Sequence, residues 1–312
     1  MTSRLQRLSV NVFPAGFVWP LWVGQDKGLF AEQGLEIELI STVNSIAQMT
    51  GLIDGAFDIA MTAIDNVIAY MEGQGEATTR RKPDIVAVMG SSSGFLSLIV
   101  APHIHSFHDL RGTTLSVDAM TTGYAFTLRR MLAMRGLGED DYRLVKVGGM
   151  KQRYEALIRN EQVGTLMVPP FTPMARDNGF NELATVLGVL GHFQGGVAAS
   201  RRDWLKAHPE RIVGFIRANL AALKWLYEPA NKAEALEIFA AHMNNASPRA
   251  AEQSYAVLLD PVNGFPRRAE IDLEGVRTVI DIRRAYAEPR RPLSDPQTYF
   301  DLSHHDRALR GV

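Results

Sequence analysis

The sequence predicts an α/β protein of two lobes with a ligand cleft between them, on three observations. Short apolar strands alternate with amphipathic helices through the first quarter of the chain, the pattern of a parallel sheet with crossover helices. That pattern restarts after Asp109-Leu-Arg-Gly112. An aromatic-rich connection, Phe13-Pro-Ala-Gly-Phe-Val-Trp-Pro20, joins the first strand to the first helix, where open α/β sheets hold small ligands.

Leu8-Ser-Val-Asn-Val12 is the first strand, and Pro20 suits the first turn of the helix that stops at Gly28, having no N–H to lose. Leu35-Glu-Ile-Glu-Leu-Ile40 alternates as a strand, and Ile46, Met49 and Ile53 mark a helix ending at Gly55. Phe57-Asp-Ile-Ala-Met61 is a third strand, followed by a helix through Val67, Ile68 and Met71. Ile85–Met89 and Phe95–Val100 are strands around the hydroxyl-rich Gly90-Ser-Ser-Ser-Gly94.

In the second unit, Thr114–Val117, Tyr142–Val147, Thr165–Val168 and Leu183–Val186 read as strands. Helices run from Thr121 toward Gly136, from Lys151 to Glu161 and near Met174. From about Val197 the composition turns helical, and Tyr299-Phe-Asp-Leu302 in the Pro-rich tail reads as docking on a neighbour.

The 312 residues suffice for two cores. A hydrophobic content of 46%, a charged content of 21% and a net charge of −1 favour neither a nucleic-acid nor a membrane partner. The clusters Arg80-Arg81-Lys82, Arg201-Arg202 and Arg290-Arg291 are short and lack interleaved aromatics, so they read as solvated surface. The absence of cysteine excludes disulfides, thiolate metal sites and cysteine nucleophiles. No Ser/His/Asp spacing, phosphate loop or Gly-x-Gly-x-x-Gly appears, and His103-Ile-His105 with His108 has only Asp109 as a nearby carboxylate. The expectation is therefore no metal and no cofactor, a small-molecule ligand and a monomer. Met1-Thr-Ser-Arg-Leu-Gln-Arg-Leu8 carries no apolar signal core. Two settings follow: periplasmic, with an export signal removed, or cytoplasmic.

Trp19-Pro-Leu-Trp-Val-Gly-Gln-Asp-Lys-Gly-Leu-Phe30, then Gln33-Gly-Leu-Glu-Ile-Glu38, then Leu52-Ile-Asp-Gly-Ala-Phe-Asp-Ile-Ala60 form an ordered pattern. It resembles the nitrate/sulfonate/taurine and thiamine-precursor substrate-binding proteins of ABC importers. Asp109-Leu-Arg-Gly112 is similar to the start of their second domain. The clear match covers about the first third of the chain, and weaker similarity reaches Val186. The resemblance implies the two-lobed periplasmic-binding-protein-like fold (type II). Lobe one would hold residues 1–101 and 191–312, lobe two residues 102–190, with hinge closure around the ligand and an ABC permease as partner. It further implies a binding protein; an enzyme on the same fold, decarboxylase-like or pyrimidine-handling, is the alternative. Gly164 stands where the family usually has Asp, and the cysteine cluster of the yeast-type pyrimidine synthases is missing, which disfavours that reaction.

Candidate site residues lie just past strand ends and at helix starts: Phe13, Phe17 and Trp19; Thr42 and Asn44; Thr62, Asp65 and Asn66; Ser92 and Ser93; Thr121, Thr122 and Gly123; Arg153; Phe171; and Phe193. Asp65 either meets a ligand or complements its helix dipole as a cap. If it only meets ligand, Asp65→Ala weakens binding about tenfold and leaves melting nearly unchanged. Thr121 either caps its helix or, with Thr122 and Gly123, offers hydroxyls and N–H groups to a carboxylate or sulfonate. Arg153, a cation in a first helical turn, either faces an anionic ligand or is a solvated surface side chain. Of the three aromatics, Phe17 and Trp19 are chosen for the cleft, the rest of that apolar area being core. The ligand so described is small, flat, partly apolar or heteroaromatic, with one anionic end.

Overall fold

The computed structural model describes residues 4–42, 44–243 and 246–310. Two five-stranded sheets form the lobes. The first contains β1 (Gln6–Val12), β2 (Leu35–Ser41), β3 (Ile59–Ala63), β4 (Ile85–Ser92) and β10 (Gly196–Arg201), in the order β2-β1-β3-β10-β4. The second contains β5 (Ser97–Val100), β6 (Thr114–Val117), β7 (Arg143–Lys146), β8 (Gly164–Met167) and β9 (Asn181–Thr185), in the order β7-β6-β8-β5-β9. In each sheet the first three strands are parallel and the fourth is antiparallel to both neighbours. The two lobes thus repeat one topology, and the chain crosses between them twice, from β4 to β5 and from β9 to β10.

Two sequence expectations change here. The stretch read as helical from Val197 opens with a strand: Val197-Ala-Ala-Ser200 is fully buried inside the first sheet, between β3 and β4. Alanine favours helix and serine favours turns, so nothing local marks this strand. Its small side chains fit because helices cover both faces. Ser97–Val100 pairs with β8 and β9, so this strand belongs to the second sheet, although a lobe boundary at 101 puts it in the first. The crossing lies in residues 93–96, where the backbone already leaves β4.

Lesser shifts have local causes. Phe57 does not enter β3, because its ring packs over Gly51, where a β-carbon would lie 2.6 Å from Cε1. Asp109-Leu110 closes a short 3₁₀ turn, Phe107–Leu110, capped by Ser106. The tail docks on the protein's own first sheet: Asp301 N–H donates to Ala87 O (2.8 Å), and the buried Tyr299 hydroxyl donates to Glu72 Oε1 (2.7 Å).

Gly164 has its reason in β8. A β-carbon there would lie 2.9 Å from Leu115 Cδ2 and Val100 Cγ1 and 3.0 Å from Ile99 O, so any side chain would have to displace groups on the neighbouring strands. Among the described residues, no helix is long and apolar enough to cross a membrane.

Candidate functional site

The helix starts of the first lobe hold half of the predicted polar groups, and local chemistry claims several of them. Asn44 is exposed and caps helix Ser45–Asp54 by accepting Ala47 N–H (2.8 Å), while the Thr42 hydroxyl donates to Asn44 O (2.9 Å). Thr62 is buried and accepts Asn66 Nδ2 (2.9 Å), which fixes the Asn66 amide at the start of helix Ile64–Met71. At the crossover, Ser92 Oγ accepts Gly94 N–H (3.2 Å), Ser93 Oγ is buried without a partner, and buried Phe193 packs on Gly94.

The aromatic connection divides. Trp19 is fully buried, its ring 4.6 Å from Phe239 and 5.9 Å from Tyr255. Its choice as a cleft residue is corrected: helix Trp19–Asp26 turns this face into the core. Phe13 and Phe17 are half-buried, and Phe17 packs against two hydrophobic clusters, one within the first lobe and one that runs through both lobes. Beside them Gly16 N–H donates across the cleft to Pro169 O (3.1 Å), and a β-carbon on Gly16 would sit 3.0 Å from that oxygen. Phe171 follows that turn, buried, with Tyr154 5.6 Å away.

Asp65 is neither a cap nor free. Ala63 is the N-cap of its helix and makes no side-chain cap bond. Both carboxylate oxygens accept from Arg283, Oδ1 from Nε at 2.7 Å and Oδ2 from Nη2 at 2.6 Å, and both side chains are buried. The expected indifference of melting to Asp65→Ala is therefore corrected, since that change strands a buried guanidinium. Gly123 of the second lobe lies directly against the same carboxylate. The cap of helix Gly123–Met134 is Thr122, accepting Ala125 N–H (3.3 Å) and donating to Asp118 Oδ1 (2.7 Å), whereas exposed Thr121 donates across the cleft to Glu76.

A cavity of about 10 Å³ remains at this junction, lined by Asn66, Tyr70, Glu76, Thr121, Thr122 and Arg283 among others. That is room for one water, so the lobes meet directly here. A wider pocket of about 420 Å³ opens beside it past Met120, Phe126, Arg129 and Tyr286, within the size range of small-ligand sites. Gln74, Glu76 and Thr121 line both spaces, so the two adjoin.

In the second lobe Arg153 is 3% exposed, which removes the solvated-surface reading. Its Nε donates to Gly148 O (3.1 Å) and Nη1 to Thr165 Oγ1 (3.0 Å) and Leu166 O (2.7 Å), while Nη2 has only Met150 Sδ at 3.7 Å. It forms no ion pair with a carboxylate among the described residues. Thr165 hands the network on to Ser116 O (2.8 Å), and Ser116 Oγ is buried without a partner. Burial pushes the guanidinium pKa down, opposed by Asp118 and Tyr124. Burial, then the Asp118 charge, pushes the Tyr124 phenol up to about 12; Arg153 opposes this, and Asp65 from the other lobe adds to it. Charges from both lobes therefore converge on Tyr124.

The family described as NMT1/THI5 like matches residues 18–233, well over half of the chain. The chain belongs to this family. No curated protein sequence matches it, but solved structures share the fold of this NMT1/THI5-like protein across its whole length. The periplasmic nitrate-binding protein NrtA from Synechocystis PCC 6803 superposes with a TM-score of 0.81 at 12% identity, over 99% of this chain and 89% of that one. The alkanesulfonate-binding protein SsuA from Xanthomonas axonopodis pv. citri, bound to MOPS, gives 0.71 at 15%, over 97% of each chain. The desulfurization enzyme DSZB gives 0.64 at 12%, over 98% and 99%. The two-lobed periplasmic-binding-protein fold is therefore that of this NMT1/THI5-like chain.

Sequence reasoning missed Arg283, Tyr124 and Glu76. A signal for Arg283 was present: Val276, Val279 and Ile280 form the buried face of helix Leu273–Tyr286, and 283 falls on the same face at helical spacing. A charge on an apolar stripe needs a buried partner. Tyr124 offered no comparable signal, since a tyrosine one residue after a helix start is ordinary.

Proposed function

We propose that this NMT1/THI5-like protein is a solute-binding component of an ABC importer, working in the periplasm and closing its lobes on a small organic molecule with one anionic end. The observation that carries this reading is Arg153: a guanidinium buried at the strand ends of the second lobe, with donors to spare and no carboxylate paired to it. Asp118 favours the charged form without touching it; a buried cation with no carboxylate in contact is costly, and an anionic ligand group would supply a close counter-charge. Tyr124 beside it, with Phe171, Phe13 and Phe17, would form the walls for a flat, partly apolar body; Asn66, Thr122 and Ser93 would add polar contacts. Asp65, held by Arg283, takes part as a fixed dipolar pair instead of a lone carboxylate. The nitrate- and alkanesulfonate-binding neighbours support an anion-binding role by analogy of fold.

Native mass spectrometry of the protein as purified, followed by incubation with the compound it carries, tests the reading. An anionic compound that is released unchanged, and whose affinity falls at least tenfold in Arg153→Gln, is the expected result. A compound returned chemically altered would point to an enzyme on this fold, and an unaltered affinity in Arg153→Gln would remove Arg153 from the site.

A further inference from the structure

Two charges of opposite sign stand apart in the second lobe, at the ends of its strands. One is Arg153, held by Gly148 O, Thr165 Oγ1 and Leu166 O with no carboxylate against it. The other is Asp118, half-buried just past the end of β6. Its Oδ1 accepts the Thr122 hydroxyl (2.7 Å), while Oδ2 accepts no hydrogen bond and meets no cation among the described residues. A short path joins the two charges. Arg153 donates to Thr165 Oγ1, Thr165 donates to Ser116 O (2.8 Å), and Asp118 follows Ser116 by two residues, about 7 Å of extended chain. After burial, the Asp118 charge is the leading influence on the pKa of both Arg153 and Tyr124.

Three charges act on Tyr124, those of Asp118, Arg153 and Asp65, and Asp65 is cancelled by Arg283 in direct contact. What remains is one cation and one anion, equal in number and not touching. A ligand with only an anionic group would compensate Arg153 but bring a second negative charge into the space that Asp118 already acts on, where like charges repel. A ligand that also carries a positive nitrogen satisfies both.

We propose, resting on the reading of Arg153 as an anion receptor, that Asp118 determines specificity and that the ligand is a zwitterion. Its anionic group meets Arg153, and a positively charged nitrogen, a primary ammonium or a protonated ring nitrogen, donates to Asp118 Oδ2. Thr122 fixes one edge of the Asp118 carboxylate and leaves the other open. The Thr122 contact needs only an oxygen, which asparagine also has; the charge is what a cationic group uses. That charge also favours the start of helix Gly123–Met134, a structural role that the following test separates from recognition.

Isothermal titration with matched probes makes the separation. The para- and meta-(aminomethyl)benzoates carry a carboxylate, a flat ring and an ammonium at two spacings, and the para- and meta-methylbenzoates have hydrogen in place of the ammonium. The parent should bind the better amino compound about tenfold or more tighter than its methyl counterpart, as one charge-assisted hydrogen bond contributes. In Asp118→Asn, which keeps an oxygen for Thr122, that preference should vanish through weaker binding of the amino compound. Arg153→Gln should weaken all four probes. A parent that binds the methylbenzoates as tightly as the amino compounds, with Arg153→Gln still weakening both, overturns the zwitterion and leaves Arg153 as an anion site. Binding indifferent to Arg153→Gln, or no binding of any probe, removes the anion site and this inference with it. A purely structural Asp118 would lower the melting temperature of Asp118→Asn and leave the preference for the amino compound unchanged, which also overturns the assignment.

Discussion

A β-carbon on Gly123 would lie 2.5 Å from the carboxylate carbon of Asp65, two lobes brought into contact through one bare α-carbon. Real β-carbons do not approach so closely, so the junction exists in this form only with glycine at 123. The pair Asp65–Arg283 on the other side of the contact joins residues 218 positions apart, and it links the two ends of the first lobe's discontinuous chain.

Removing one member of that pair should cost far more than removing both. Asp65→Ala leaves the Arg283 guanidinium buried without a counter-charge, which typically costs about 3–5 kcal/mol. Replacing both by apolar groups of similar size, as in Asp65→Leu with Arg283→Met, should recover most of that loss. Urea unfolding of the two single variants and the double variant measures the difference. A double variant no more stable than Asp65→Ala would show that the pair's worth lies in its hydrogen bonds to surroundings, not in charge compensation.

Gly164→Ala should destabilise the second lobe by about 1–3 kcal/mol, the usual cost of overpacking, because the new methyl meets Leu115, Val100 and the Ile99 carbonyl within 3.0 Å. Gly164→Asp should be worse, since it adds a buried charge to the same collision. Thermal unfolding followed by circular dichroism ranks the three proteins.

The sequence made the repeated strand–helix pattern and the restart near Asp109 legible because hydrophobic period and turn residues are local properties. Asp65, Asn66, Thr121, Thr122 and Gly123 could be found because they lie at strand ends and helix starts, and the structure brings all five to one junction. What escaped depends on distant chain. The strand Gly196–Arg201 is made of small residues whose strand state is imposed by neighbours on both sides. The partner of Asp65 lies on a helix near the other end of the chain, and no local pattern couples them. Trp19 was misassigned for a related reason: position in a connection is readable, but which face of the following turn is buried depends on Phe239 and Tyr255.

At acid pH, Asp109 should release its hold on the opening of the second lobe. Backbone N–H groups of His105 and Ser106 both donate to its Oδ2 at 2.9 Å and hold its carboxyl below the usual range. A lowered folded pKa means that the stabilisation is present above the unfolded carboxylate value, about 3.9, and disappears as pH falls through the folded one. Asp109→Asn should therefore be less stable than the parent at neutral pH, with the gap closing below about pH 4. Urea midpoints of the two proteins across that range check this; a gap independent of pH would assign the effect to lost shape.

At alkaline pH the sign reverses, and Tyr124 supplies the measurement. Its phenol is raised from 10.0 to about 12, chiefly by burial and then by the Asp118 charge. A folded pKa above the unfolded one gives stability that is complete below pH 10 and is lost as pH rises toward 12. Over that interval the unfolded chain releases the Tyr124 proton while the folded chain keeps it. The parent should thus lose stability with pH more steeply than Tyr124→Phe, which has no proton to release, and the two slopes should agree below pH 9, a pH at least about one unit under the unfolded tyrosine value. Denaturant titrations at fixed pH steps give both slopes. Occupying the cleft with an anion beside Arg153 removes part of the cation's opposing influence on the phenol, so the steep region, which begins at the unfolded tyrosine value in both cases, should extend to higher pH in the loaded protein than in the ligand-free one. An equal upper limit in both would place the ligand away from Tyr124.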